Sequence, residues 1–396
     1  MSKNWKTTLY IVWGVQIMSL MSFSFGMPFL SFYIQDLGVV DPDQIKLITG
    51  ILNASPAIGM AIMAPIWGMI SDRGGKKPML IRAIGSAAVI LFGLGIVNSV
   101  GGLIAFRVLQ GFLTGTITAA AALISSETPD EHMSYALGVL TSSTFIGYSL
   151  GPALGGILAE AIGYKFSFML GGGLMLLTLF VVIFFVKETK REKKSDHEIR
   201  KIKFKYILTP VVIITLLIVF FIRLGRTFPS PYISLYIQQI RGSIEGSAMT
   251  TGLITAATSI VTALSALLLS RLGDRYDKKK LIVIYLIVGI LISIPLLFTN
   301  TLVSFSIFYI LIFFAIGGIE PLIMSYAVTL VPDDRRGTLF GIQGTVGSIA
   351  WAIGPMLGSF TTIRFGLESV FVFMPVFLIL GLGSVLFMKQ KTKKTA

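Results

Sequence analysis

Apolar residues in this chain come in long stretches almost free of charge. They occupy residues 8–34, 46–70, 78–97, 103–125, 135–159, 166–186, 207–236, 249–270, 280–299, 302–330, 338–362 and 369–388. A run of about 18 or more apolar residues is long enough to cross the hydrocarbon core of a bilayer as a helix. The pattern therefore predicts an all-α membrane protein with twelve transmembrane helices. Composition agrees: 54% of the residues are hydrophobic, only 13% are charged, and the mean hydropathy is +0.84. A soluble domain has too few polar side chains at that composition to cover its own surface.

Charge changes the picture from a count to a topology. The net charge of +14 does not sit on one soluble face, so nucleic acid is not an expected partner. With a cytoplasmic N-terminus and twelve spans, 26 of the 33 Lys and Arg fall on the cytoplasmic side. Lys46, Lys165, Arg241 and Arg364 fall outside, and Arg107, Arg223 and Arg226 fall within spans. That asymmetry is what membrane insertion imposes. It places both termini in the cytoplasm of a bacterial plasma membrane, with anionic lipid as a secondary contact. The first apolar segment is too long for a cleaved signal. The chain has no Cys, and its two His, His132 and His197, fall in predicted loops. No metal site, cofactor or enzyme chemistry is therefore expected.

The chain repeats itself. Pro28-Phe-Leu-Ser-Phe-Tyr33-Ile-Gln35 matches Pro231-Tyr-Ile-Ser-Leu-Tyr236-Ile-Gln238 at an offset of 203 residues. Pro129-Asp130-Glu131 matches Pro332-Asp333-Asp334, and Gly151-Pro152-x-x-Gly155 matches Gly354-Pro355-x-x-Gly358, at the same offset. Asp72-Arg73 matches Asp274-Arg275 at 202. The expected organisation is two pseudo-symmetric six-helix bundles, residues 1–186 and 207–396, joined by a charged linker at 187–206. Such repeats around a midplane site are a known transporter plan.

Several segments resemble the major facilitator superfamily, and within it the twelve-helix drug:proton antiporters. Gly68-Met-Ile-Ser-Asp72-Arg73-Gly-Gly75-Lys76-Lys77-Pro78 looks like the superfamily's signature between helices 2 and 3. Arg107-Val-Leu-Gln110-Gly111-Phe-Leu-Thr-Gly115 is similar to the helix-4 motif of proton-coupled members. Gly147-Tyr-Ser-Leu-Gly151-Pro152-Ala-Leu-Gly155-Gly156 is similar to the helix-5 antiporter motif. The opening Asn4-Trp5-Lys6 and Met27-Pro28-Phe29-Leu30 further resemble a bacterial multidrug exporter subgroup. The resemblance implies a major facilitator fold whose helices 1, 4, 7 and 10 line a central cavity.

The residues themselves suggest roles. Asp72 and Arg73, with Gly68 and Lys77, can latch onto the terminus of a neighbouring helix in one conformation and release it in another. Asp274 and Arg275 form a weaker copy, because Ser270 and Asp277 stand where the first copy has Gly68 and Gly75. Glycines 147, 151, 155 and 156 admit close backbone packing, and Pro152 removes a helical hydrogen bond. Charges within the bilayer are costly and mark function or partnership. Glu320 is the candidate proton carrier, with Arg107 and Asp36 as further coupling residues and Arg223 and Arg226 as its charge partners. Arg107, Arg223, Arg226 and Glu320 are not duplicated by the repeat, and what one half alone carries is a candidate for chemistry. Phe23, Tyr33, Phe145, Phe228, Tyr232, Tyr236, Tyr309 and Tyr326 are candidates for contact with an amphipathic substrate.

The function these features predict is proton-coupled efflux of drugs or amphipathic small molecules by a monomer, without a cofactor. One carboxylate among three arginines favours anionic or zwitterionic substrates over simple cations. The alternatives are a dedicated metabolite exporter or symporter, for a sugar derivative, siderophore or organic acid, and a non-transporting membrane receptor on the same scaffold.

Overall fold

The computed structural model describes residues 5–188, 209–273, 275–331 and 336–387. Twelve helical segments among these are long and apolar enough to cross a membrane. Eight are single helices, whereas spans 1, 4, 7 and 10 are each two helices meeting at a break. Span 1 is α1 (Trp5–Ser24) and α2 (Leu30–Asp36), with a 3₁₀ turn at Met27–Phe29 between them. Spans 2 and 3 are α3 (Pro42–Gly74) and α4 (Lys76–Ile96). Span 4 is α5 (Val100–Leu113) and α6 (Thr116–Glu127); spans 5 and 6 are α7 (Met133–Ile162) and α8 (Tyr164–Phe185). Span 7 is α9 (Pro210–Thr227) and α10 (Ile233–Arg241), followed by α11 (Ser247–Leu272) and α12 (Lys278–Leu296). Span 10 is α13 (Leu302–Gly317) and α14 (Ile319–Val328); α15 (Arg336–Phe365) and α16 (Ser369–Leu386) complete the chain.

The breaks have local causes. Pro28 and Pro231 each sit in the 3₁₀ turn of their span, where a residue without an N–H interrupts the helical ladder. In span 4 the interruption falls at Gly115, whose φ of +122° suits glycine alone. In span 10 it falls at Gly318. Hydropathy reads through all four, because a broken helix stays apolar. Pro152 and Pro355 lie inside α7 and α15, which continue past them. Helix starts are conventional: Asp41, Ser99, Thr209, Asp277 and Thr301 accept hydrogen bonds from the first turns they precede.

The chain divides into two compact units. One comprises Met1–Ser195 and Pro231–Ile260; the other comprises Asp196–Ser230 and Val261–Ala396. In the first, span 5 lies against span 1 with almost no side chain between them. A Cβ on Gly147 would meet Leu20 at 2.6 Å, one on Gly151 would meet Ser24 at 2.4 Å, and one on Gly155 would meet the Phe25 carbonyl at 2.3 Å. Gly156 turns the other way, toward span 8, where its Cβ would lie 2.7 Å from the Ala248 carbonyl. Glu160 accepts a 3.1 Å hydrogen bond from the Met249 amide in the first turn of α11. The helix-5 glycines thus serve two neighbours.

The same unit joins equivalent points of the repeat. The Ser31 and Ser234 hydroxyls are 2.6 Å apart, and the Gln35 and Gln238 side-chain amides each donate to the other at 3.0 Å. Residues related by the 203-residue offset meet one another here, so a local two-fold axis passes between them. In the second unit, Gly317 and Gly318 pack on Ser265, and an aromatic cluster of Phe305, Tyr309, Phe313 and Phe371 fills the core.

Glu188 ties the start of the charged linker to the first unit. Its carboxylate accepts from the Lys76 and Lys77 amides at 2.7 and 2.9 Å, at the N-terminus of α4. Gly75, with φ of +95°, leaves room for it. Of the linker, residues 189–206 lie outside the described residues.

Backbone-to-backbone packing sets a steric prediction. Gly155→Val should lower the melting temperature of the detergent-purified protein, an overpacking cost of roughly 1–3 kcal/mol. Gly138→Val, where nothing lies within 4 Å of a Cβ, should leave it nearly unchanged. Equal melting of the two variants would contradict the packing described.

Candidate functional site

The intramembrane charges segregate into two clusters, one in each unit, and both lie beside broken spans. In the second unit Glu320 occupies the first turn of α14, just past the break in span 10. A helix N-terminus favours a negative charge there. One oxygen of Glu320 accepts from Arg223 Nε at 3.0 Å and from Arg223 Nη2, and also from Gln343 Nε2 at 3.0 Å. The cluster therefore joins spans 7, 10 and 11. The side chains of Arg223 and Glu320 are 30% and 20% exposed, so both are reachable yet largely withdrawn from solvent.

Two glycines make this geometry possible. A Cβ on Gly347 would fall on Arg223 Nη1, so the guanidinium reaches Glu320 over bare backbone of span 11. One turn-pair on, Gly354 leaves space for Thr227, whose hydroxyl bonds to the Arg223 carbonyl at 3.0 Å and the Ala350 carbonyl at 3.1 Å. Arg226 lies one turn from Arg223 with its guanidinium 5.6 Å from the centre of the Phe313 ring. Among the described residues it has no hydrogen-bonded or ion-paired carboxylate. The sequence singled out Arg223, Arg226 and Glu320 by their cost. Gln343 and Gly347 were missed; a lone Gln in an apolar span with a Gly four residues on was the available signal.

In the first unit Arg107 is buried at 4% exposure. Its Nε donates to the Leu52 carbonyl at 2.7 Å, and its Nη1 to Gln110 Oε1 at 2.6 Å and to Met27 Sδ at 2.9 Å. The Leu52 carbonyl has no helical N–H partner because Pro56, four residues later, has none to give; Ser55 Oγ reaches it only at 3.5 Å. Arg107 thus repairs span 2 at a proline and reaches the break of span 1. Among the described residues it has no carboxylate partner. Asp36 is exposed at the end of α2 and does not join this cluster.

The aromatic candidates sort by burial. Tyr33, Phe228, Tyr232, Tyr236 and Tyr309 are buried. The Tyr33 hydroxyl donates to the Leu94 and Val97 carbonyls at 2.9 and 3.0 Å, and its ring packs near Phe168. Tyr232 reaches the Lys46 carbonyl at 3.4 Å, Phe228 meets Phe377 edge-on, and Tyr309 stacks on Phe305. Phe23, Phe145 and Tyr326 are half-buried. Of the latch residues, Lys77 donates to the Ile183 carbonyl at 2.8 Å and Arg275 is exposed. Gly68 has open space where a Cβ would stand. Asp274 and the side chains of Asp72 and Arg73 lie outside the described residues.

Comparison with known proteins bears on what this arrangement is for. The sequence profile of the Major Facilitator Superfamily matches residues 12–243 and 215–396. The "Multi-drug resistance efflux pump PmrA homolog" of Lactococcus lactis is 33% identical over 362 residues, covering 90% of this chain and 88% of that protein. The "Multidrug resistance protein MdtG" of Serratia proteamaculans is 28% identical over 371 residues, covering 93% and 90%. In structure, a bacterial homologue of the human lysosomal transporter Spinster, inward-facing and occupied, aligns with a TM-score of 0.85 at 15% identity, covering 98% and 97%. Twelve spans, the repeat, the profile along nearly the whole length and the Lactococcus relative agree: the chain belongs to the Major Facilitator Superfamily of membrane transporters.

Proposed function

We propose that the protein exports amphipathic small molecules in exchange for protons, that Glu320 carries the proton, and that zwitterions are its preferred substrates. The observation that supports this most is one intramembrane carboxylate held by Arg223 and Gln343, beside an Arg226 that has, among the described residues, no carboxylate of its own. The names of the Lactococcus and Serratia relatives support drug efflux. The protein acts as a monomer in the bacterial cytoplasmic membrane, with both termini inside and the proton gradient as its energy source.

The sign of coupling follows from charge. Protonation neutralises Glu320 and releases Arg223 from it. A purely anionic substrate then binds the protonated cluster better, so anion and proton travel together. Exchange needs the opposite: part of the substrate must prefer the ionised carboxylate. An ammonium group does so, competing with the proton for Glu320. A carboxylate on the same molecule engages Arg226. A zwitterion satisfies both, whereas a simple cation meets two arginines that repel it.

Alternating access requires a contact that opens. Ser31–Ser234 and Gln35–Gln238 join spans 1 and 7 at their ends remote from the Lys- and Arg-rich side. In this reading they form the outer seal. Small polar hydrogen bonds suit such a seal, because each contributes only about 0.5–1.5 kcal/mol net and is readily exchanged for water.

Two measurements test the proposal. In proteoliposomes, zwitterionic compounds should induce proton movement by the wild type, and Glu320→Gln should bind the same compounds without moving protons. If both proteins behave alike, Glu320 is a structural partner only. Separately, Ser31→Cys with Ser234→Cys in this naturally Cys-free chain should form a disulfide on oxidation, since the two hydroxyls are 2.6 Å apart. Transport should stop and return on reduction. Undiminished transport by the fully crosslinked protein would show that this contact does not open.

A further inference from the structure

A cavity of about 130 Å³ lies among spans 2, 3 and 4 of the first unit, apart from both charge clusters. Met60, Met63, Met79 and Trp67 give it an apolar wall, and Ser71 and Arg82 give it a polar one. The break in span 4 borders it through Thr114 and Gly115. Trp67 is fixed there, since its Nε1 donates to the Phe112 carbonyl at 2.7 Å in the last turn of α5. The Arg82 guanidinium lies over the Trp67 ring, 3.5 Å from its centre.

The polar wall is unsatisfied. Among the described residues, Nε and Nη1 of Arg82 are shielded from water and have no hydrogen-bond partner. The Ser71 hydroxyl, on a residue 7% exposed, has none either. Elsewhere in the molecule hydroxyls such as those of Ser22 and Thr178 donate back to a carbonyl four residues earlier. Ser71 shares its unsatisfied state with Ser19, Thr49 and Ser359, but it alone of these lines the cavity beside Arg82. Polar groups left this way are costly and call for a partner. Arg82 stands six residues into α4, about 9 Å from its start, on the Lys- and Arg-rich side of the chain. That depth is near the boundary between headgroups and hydrocarbon.

We propose that this cavity binds the head of an amphipathic anion. A carboxylate or phosphate would accept from Arg82 and Ser71, and the adjoining apolar chain would lie along the three methionines, whose flexible thioethers adapt to varied shapes. The same chemistry fits a free fatty carboxylate and the headgroup of an anionic phospholipid. It is a site distinct from Glu320 and does not depend on the exchange proposed above.

The test uses the purified full-length chain and Trp67 emission, isolated as the difference between wild type and Trp67→Phe. The probes are 11-bromoundecanoate in detergent, and vesicles of brominated phosphatidylglycerol or of brominated phosphatidylcholine. Saturable quenching by the carboxylate, the phosphatidylglycerol or both supports the site, and which of them saturates identifies the source. Arg82→Gln should weaken that quenching about tenfold, the loss of one charge-assisted hydrogen bond. Ser71→Ala, a milder change, should weaken it less but measurably. Quenching by the anions that does not saturate, that phosphatidylcholine equals, or that neither substitution alters would overturn the proposal.

Discussion

A carboxylate withdrawn into a membrane protein must be compensated by cations, and in this molecule that requirement organises the second unit. Glu320 brings together Arg223 of span 7 and Gln343 of span 11 around the broken span 10. Gly347 is needed because the guanidinium crosses its backbone, and Gly354 because Thr227 braces the same helix there. Once Arg223 is committed to Glu320, Arg226 is left, among the described residues, with an aromatic ring and no carboxylate bonded to it. Arg107 in the first unit is likewise held by a carbonyl, an amide and a thioether. The chain thus carries more positive than negative charge within its spans. That surplus underlies both the substrate charge and the coupling sign proposed here.

The two halves of the repeat are used differently. Where the duplication is preserved, as at Ser31 with Ser234 and Gln35 with Gln238, equivalent residues bond to each other. Where it is lost, as at Arg107, Arg223, Arg226 and Glu320, the residues form the charge clusters. Symmetry supplies matched contacts between spans 1 and 7, and asymmetry supplies the charges, among them Glu320, the proton carrier proposed above.

Much of this was legible in the sequence. Twelve apolar runs, the placement of Lys and Arg and the 203-residue offset specify the fold, because bilayer thickness and insertion constrain them directly. The intramembrane charges were legible for the same reason. The breaks in spans 1, 4, 7 and 10 were not, since a break changes backbone torsion without changing hydropathy. Pro28, Pro231 and Gly115 hinted at them. Aromatic residues were least informative: Tyr33 and Tyr309 are as apolar in a packed core as they would be beside a substrate, and only burial separates them from Phe23, Phe145 and Tyr326. Nor did spacing say that Gly147, Gly151 and Gly155 face span 1 while Gly156 faces span 8. Glu188 was hidden in a run of charges, where one capping carboxylate looks like its neighbours.

In the proposed mechanism the surplus arginine, with a single exchangeable carboxylate, selects the charge of the substrate. The most direct measurement uses three amphiphiles that share one apolar body and differ only in carrying a carboxylate, a zwitterionic or an ammonium head. Proton exchange driven by each is recorded in proteoliposomes with wild type and with Arg226→Gln. The zwitterion is expected to drive wild-type exchange best, and Arg226→Gln to shift the preference toward the ammonium compound. Best exchange with the ammonium compound in the wild type, or an order that Arg226→Gln leaves unchanged, would contradict this mechanism.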